Sequence, residues 1–185
     1  MRLLTALGIY MGSLIATGFF TRNSGVKNQL FWESTISLFT VLTLWLVFKP
    51  PYTFEFSLKF WWIFAGILVF EFFVFKLEEQ TVPSWILKDP RVIISIVLIS
   101  PIAEEMFFRG VVLSMLESPV WNGLIFAAFH LVNLLGFERF SIGVLITRFS
   151  LGFVMALATA KSGSVFPAIL YHIANNALAV LANLR

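Results

Sequence analysis

The stretch Val92–Met115 reads VIISIVLISPIAEEMFFRGVVLSM, and it decides how the rest of the chain is read. A helix crosses the roughly 30 Å hydrocarbon core of a bilayer with about 20 mostly apolar residues, and this run has that length. Yet Glu104, Glu105 and Arg109 lie within two turns at its middle. A charge near the bilayer centre costs about 3 kcal/mol or more, so ionisable groups there face a bundle interior and mark function by default. The composition agrees with a membrane setting: of 185 residues, 59% are hydrophobic, 17% aromatic and 12% charged, and the mean hydropathy is +0.90. Soluble domains are about half apolar and about a quarter charged, so a soluble globular fold is excluded. Disorder is excluded too, because it requires low hydrophobicity. The absence of Cys excludes disulfides and thiolate metal sites. A net charge of +3 with no two basic residues adjacent gives no nucleic-acid footprint, although the pI is near 9.5.

Working outward, apolar runs bounded by charges or turn formers predict an all-α polytopic membrane protein, a bundle of about seven transmembrane helices within bounds of six to eight. The segments are Leu3–Phe20, Leu30–Phe48, Ser57–Phe75, Val92–Met115, Pro119–Leu135, Ser141–Ala160 and Val165–Asn183. The connections carry the punctuation: 21–29 (TRNSGVKNQ), 49–56 with Pro50 and Pro51, the charged Lys76–Arg91, then 116–118, Gly136–Phe140 and 161–164. Ser118–Pro119 reads as an N-cap and first helical residue, and Ser164 with Pro167 as a similar start. Leu3–Phe20 reads as a retained first span, since no small-residue cleavage site follows Phe20. With Arg109 and Arg148 left out as embedded, Arg2, Lys49, Lys59 and Lys161 lie on the N-terminal side. Arg22, Lys27, Lys76, Lys88, Arg91, Arg139 and Arg185 lie opposite. The imbalance predicts an external N-terminus and a cytoplasmic C-terminus for an odd span count.

The fifth span carries His130 and the seventh carries His172 and Asn176; these are the two histidines of the chain. Glu104, His130 and His172 each lie near the centre of a segment, within about 5 Å of a common depth at the helical rise. Three helices thus offer acid–base groups at one level. At about 100° per residue, Glu105 and Arg109 share a face as an i,i+4 pair, while Glu104 points about 140° away from Arg109. Arg109 is expected to neutralise Glu105 and to leave Glu104 for chemistry. Pro101 removes a backbone hydrogen bond just before them and is expected to kink the helix. Phe126 with His130, and His172 with Asn176, are further i,i+4 pairs; the second suits an oxyanion. Elsewhere Glu33 and Glu71 read as snorkelling charges, and Arg148 as a structural ion-pair or headgroup partner. Trp61 and Trp62 read as interfacial aromatics, and Gly152 with Ala156 as a small-xxx-small packing step.

Glu104-Glu105-x-x-x-Arg109, then Phe126-x-x-x-His130, then His172-x-x-x-Asn176 resembles the three-motif signature of the CPBP (CAAX protease, bacteriocin-processing or Abi) intramembrane peptidases, relatives of the type II CAAX prenyl endopeptidases. Phe149-x-x-Gly152 is similar to the family's helix before the last motif, although Ala156 stands where a second Gly is common. The resemblance covers the C-terminal four helices. It implies a catalytic core in 92–183; hydrophobicity alone supplies the three N-terminal spans in 1–91, and the whole reads as a single integral membrane domain over 1–185.

By that resemblance Glu104 activates water with help from His130, Glu105 and Arg109 order the motif, and His172 with Asn176 stabilises the tetrahedral oxyanion. The implied activity is endopeptidase cleavage of a membrane-associated protein or peptide, either CAAX-type or leader/bacteriocin-type, in a prokaryotic cell membrane. The bilayer is the other partner. A zinc ion on Glu104, His130 and His172 is the alternative to a metal-independent glutamate mechanism. The set lacks the His-Glu-x-x-His spacing of one-helix zinc sites, so no cofactor is favoured. Two further classes stay in view: a non-catalytic scaffold or immunity protein, and a proton-coupled transporter using the Glu/His cluster as a relay. The small size and lack of an inverted repeat speak against the transporter.

Overall fold

The computed structural model describes residues 1–78, 88–133 and 142–183. Most of the expected Lys76–Arg91 connection, the expected Gly136–Phe140 connection with Arg139, and Arg185 lie outside the described residues. The described chain forms seven helices. They are α1 (Arg2–Thr21), α2 (Val26–Phe48), α3 (Trp61–Glu78), α4 (90–116), α5 (Pro119–Asn133), α6 (Ile142–Ser162) and α7 (Phe166–Asn183). Among them α1, α2 and α6 are long and apolar enough to cross a membrane, and α3, α5 and α7 hold shorter apolar stretches. Large side chains on the outer faces, including Leu4, Phe39, Leu46, Trp62, Ile142 and Leu181, are 60–74% exposed. An apolar exterior of this extent marks a lipid- or protein-facing surface.

Two helix starts follow the local sequence signals. Ser118 Oγ accepts from Trp121 N–H at 3.4 Å at the head of α5, and Ser164 Oγ accepts from Phe166 N–H at 3.2 Å at the head of α7. Two boundaries differ from the expected ones. The helix α2 begins at Val26, four residues before the apolar run, because Gly25 with φ 82° makes the turn and leaves the polar 27–29 on the first helical turn. The helix α3 begins at Trp61, not Ser57, after Phe60 takes a left-handed φ of 64°.

Hydrogen bonds at both ends fix an up-and-down order. At one end Thr53 pairs with Gly163 and Val165, Ser164 Oγ donates to Glu55 O at 2.7 Å, Lys59 Nζ to Lys161 O at 2.7 Å, and Tyr171 OH to Lys59 O at 2.6 Å. At the other end Arg91 Nη1 donates to Asn28 Oδ1 at 3.4 Å, joining the start of α4 to the start of α2. That start of α4 is capped by Asp89, whose Oδ1 accepts from Arg91 N–H at 3.0 Å, with Pro90 as the first helical residue.

The centre of the bundle is α4. All of Met106–Val112, Arg109 included, is buried, and a helix with no exposed face at its middle is surrounded by neighbours. The closest approach is between α5 and α6. A Cβ on Gly123 would sit 2.9 Å from the Phe153 backbone nitrogen, and one on Gly152 would sit 3.2 Å from Gly123 Cα. The expected Gly152 packing step is therefore a backbone-to-backbone contact.

Replacing Gly123 with Val forces α5 and α6 apart and is expected to cost about 1–3 kcal/mol, the usual range for overpacking. Thermal unfolding in detergent micelles checks this; an unchanged midpoint would contradict the packing. The hydrogen bonds from Arg91, its guanidinium charge included, hold the Asp89 carboxyl below its ordinary value. The cap is then intact above the unfolded carboxyl range and is lost as pH falls through the folded one. Amide exchange at 91–94, corrected for intrinsic pH effects, is expected to quicken on acidification, and Asp89→Ala should remove that dependence.

Candidate active site

The site begins with the proline. Pro101 has no N–H, and its ring crowds the carbonyl four residues earlier. The turn before it, Ser95–Ile99, is wound as a π-helix, and Ser100 N–H accordingly reaches back to Ser95 O. The expected kink is thus expressed as a widened turn, a common relief at functional sites. Ile96 O is thereby left short of a donor: Ser100 N–H is taken, and Pro101 has none to give. That carbonyl accepts instead from Asn176 Nδ2 on α7 at 2.9 Å.

One turn further on, Glu105 and Arg109 form the expected i,i+4 pair, with Arg109 Nε 2.9 Å from Glu105 Oε2 and both side chains 0% exposed. A buried ion pair depends on further bonds to its polar atoms, and here Arg109 Nη1 has no hydrogen-bond partner among the described residues. Arg109 Nη2 donates to Gly152 O at 3.3 Å, where the glycine lets α6 come close, and the guanidinium lies 4.2 Å from the centroid of the Phe126 ring. The other carboxylate oxygen, Oε1, accepts from His172 Nδ1 at 2.7 Å. Glu105 therefore ties α4 to α7 as well as to its own Arg.

Glu104 leaves the helix on a different side and meets His130. Its Oε2 lies 3.7 Å from His130 Nε2, and the two side chains keep 25% and 14% exposure. His130 Nδ1 faces Phe126 O at 2.9 Å. A carbonyl only accepts, so Nδ1 carries the proton and Nε2 presents a lone pair to Glu104. Two acceptors at that separation are spaced for one water to donate to both. The Phe126 ring, 4.3 Å from the His130 ring and 6.1 Å from the His172 ring by centroids, packs against both histidines.

All six expected residues are thus placed on α4, α5 and α7, in two linked groups. One difference concerns His172 and Asn176, expected as a side-by-side donor pair. Each spends one donor elsewhere, His172 Nδ1 on Glu105 and Asn176 Nδ2 on Ile96 O, while Asn175 Nδ2 is 3.4 Å from Asn176 Oδ1. Arg148, expected to be structural, lines a cavity of about 10 Å³ with Ala127, His130 and Val144, room for about one water. Among the described residues no three His, Cys, Asp or Glu side chains converge closely enough to hold a metal ion. Of the expected zinc set, Glu104 meets His130, and His172 Nδ1 is turned onto Glu105, so Nε2 is the nitrogen His172 could offer to a ligand.

Asn122 is the residue that reading the sequence passed over. It is wholly buried, and its Nδ2 donates to Phe108 O at 2.7 Å. The available signal was an amide in the otherwise apolar PVWNGLIF at the head of α5.

Comparison with curated proteins and with solved structures returns no match. The family model described as "Type II CAAX prenyl endopeptidase Rce1-like" matches residues 86–178. That interval is half of the chain and includes Glu104, Glu105, Arg109, His130, His172 and Asn176. By that match the chain belongs to the type II CAAX prenyl endopeptidase Rce1-like family, a family of peptidases.

Proposed function

We propose that this protein is a multi-pass intramembrane endopeptidase in which Glu104 and His130 activate a water molecule for attack on a peptide bond. The observation that carries the reading is the facing of Glu104 Oε2 and His130 Nε2 at 3.7 Å, on side chains only partly exposed, beside a sealed ion-pair cluster. Glu104 takes a proton from the water as its oxygen bonds to the scissile carbonyl carbon. The same proton passes to the departing amine when the C–N bond breaks. His130, held by Phe126 O, accepts a hydrogen bond from the other O–H of the water and orients the attack.

Opposite them, His172 with a proton on each ring nitrogen gives Nδ1–H to Glu105 and Nε2–H to the oxyanion. Asn176 spends one amide hydrogen on Ile96 O and keeps the other for the same oxyanion. The chemistry is metal-independent in this reading. The substrate is a membrane-associated peptide or protein, CAAX-type by family and leader-type as the second class. The apolar outer surface supports an integral location, in a prokaryotic cell membrane with the C-terminus cytoplasmic.

In proteoliposomes, the wild-type chain is expected to cleave a farnesylated, fluorescence-quenched CAAX peptide or an unprenylated hydrophobic leader peptide. Glu104→Gln should reduce the rate by about 10²–10⁴-fold, the usual weight of a general base; equal rates for variant and wild type would remove Glu104 from that role. Treatment with 1,10-phenanthroline followed by metal analysis tests the zinc version separately. Full activity in zinc-free protein is the expected result, and loss that zinc restores would establish a metallopeptidase.

A further inference from the structure

The second widened turn of α4 is held from outside the helix, and we infer that Asn122 is a positioning residue that locks the π register of Met106–Val112 and thereby sets where Glu105 and Arg109 point. In this turn Leu113 N–H is shared between Phe108 O and Gly110 O. Asn122 supplies Phe108 O with a 2.7 Å bond from the facing helix. Because Phe108 O can only accept, the atom facing it is the amide nitrogen. Arg109, the next residue, carries the ion pair to Glu105.

The two widened turns are built alike. The first, Ser95–Ile99, has its under-bonded Ile96 O taken by Asn176 of α7, and the second has Phe108 O taken by Asn122 of α5. Glu104 and Glu105 lie on the short α-helical segment between these clamps. A π turn contains one residue more than the α turn it replaces, and each residue carries about 100° of rotation. Relaxation of 106–112 to the α register would therefore swing the Glu105 half of α4 relative to the half that packs beyond Leu113. It would also draw Arg109 off Gly152 O.

Asn122 is a costly way to gain stability alone. It is 0% exposed, and its Oδ1 has no hydrogen-bond partner among the described residues. A buried amide left half-satisfied penalises folding, and such local violations concentrate where function requires them. An apolar residue of similar volume would pack in the same place without that penalty, but it could not hold the Phe108 carbonyl.

The inference rests on the peptidase reading for its kinetic arm only. The test compares wild type, Asn122→Leu, the smaller Asn122→Ala, and Ser164→Ala, which removes the buried hydroxyl bond to Glu55 O at the far end of the bundle. Proteoliposome assays with the same farnesylated peptide give kcat and KM, and hydrogen–deuterium exchange follows residues 106–113. Both Asn122 variants are expected to lose at least tenfold in kcat with KM within twofold, and to exchange at least tenfold faster across 106–113. Ser164→Ala should lower thermal stability and leave kcat unchanged. Folded Asn122 variants with wild-type kcat and exchange would overturn the inference, as would the failure of both to fold, which would make Asn122 a purely structural residue. If wild type cleaves nothing while the exchange difference appears, the register lock stands and the peptidase reading falls.

Discussion

The rest of the structure depends on one carboxylate. Glu105 is fully buried and divides its two oxygens between Arg109, one turn along the same helix, and His172 on α7. An isolated carboxylate would be prohibitively costly at that depth; shared between two donors, it becomes a junction. Removing any one of the three would leave a buried charge or donor unpaired, the situation that costs most. The junction also explains why α5 and α6 approach through glycines. Gly152 offers its carbonyl to Arg109, and Gly123 lets α6 come close enough to do so.

The backbone of α4 is shaped to serve this junction. An uninterrupted α-helix would satisfy its own carbonyls and have nothing to offer α5 or α7. Pro101 and the first π turn leave Ile96 O short of a donor, and in the second π turn Phe108 O shares Leu113 N–H with Gly110 O; Asn176 and Asn122 bond these two carbonyls. Irregular backbone is tolerated away from water when neighbouring groups re-satisfy it. Here the repair has a second effect, because each side-chain amide fixes the rotation of the segment carrying Glu104 and Glu105. The proposed reaction needs that precision, since an ångström of drift between Glu104 and His130 would separate the acceptors that hold the water.

Much of this was legible in the amino-acid sequence, for reasons that can be stated. The seven apolar runs correspond to the seven described helices, because segment length and hydrophobicity are local properties. The Glu105–Arg109 pair was legible because i,i+4 spacing is dictated by helical pitch. Ser118 and Ser164 were legible as helix starts because capping is a local hydrogen bond. The starts of α2 and α3 were not, since Gly25 and the left-handed Phe60 override hydropathy there. The bond from His172 to Glu105 was not legible either, because it depends on how α7 turns against α4. Asn122 escaped notice because the turn it repairs is a backbone irregularity, and only the crossing of α5 over α4 reveals it.

In the proposed reaction, water held between Glu104 and His130, and not the Glu104 carboxylate itself, attacks the peptide bond. Single-turnover cleavage in ¹⁸O-water, with mass spectrometry of both the released peptide and the α4 fragment containing Glu104, tests it directly. The account predicts one ¹⁸O atom in the new C-terminal carboxylate and none in Glu104. Label recovered in the Glu104 side chain would show a covalent acyl intermediate and contradict the account.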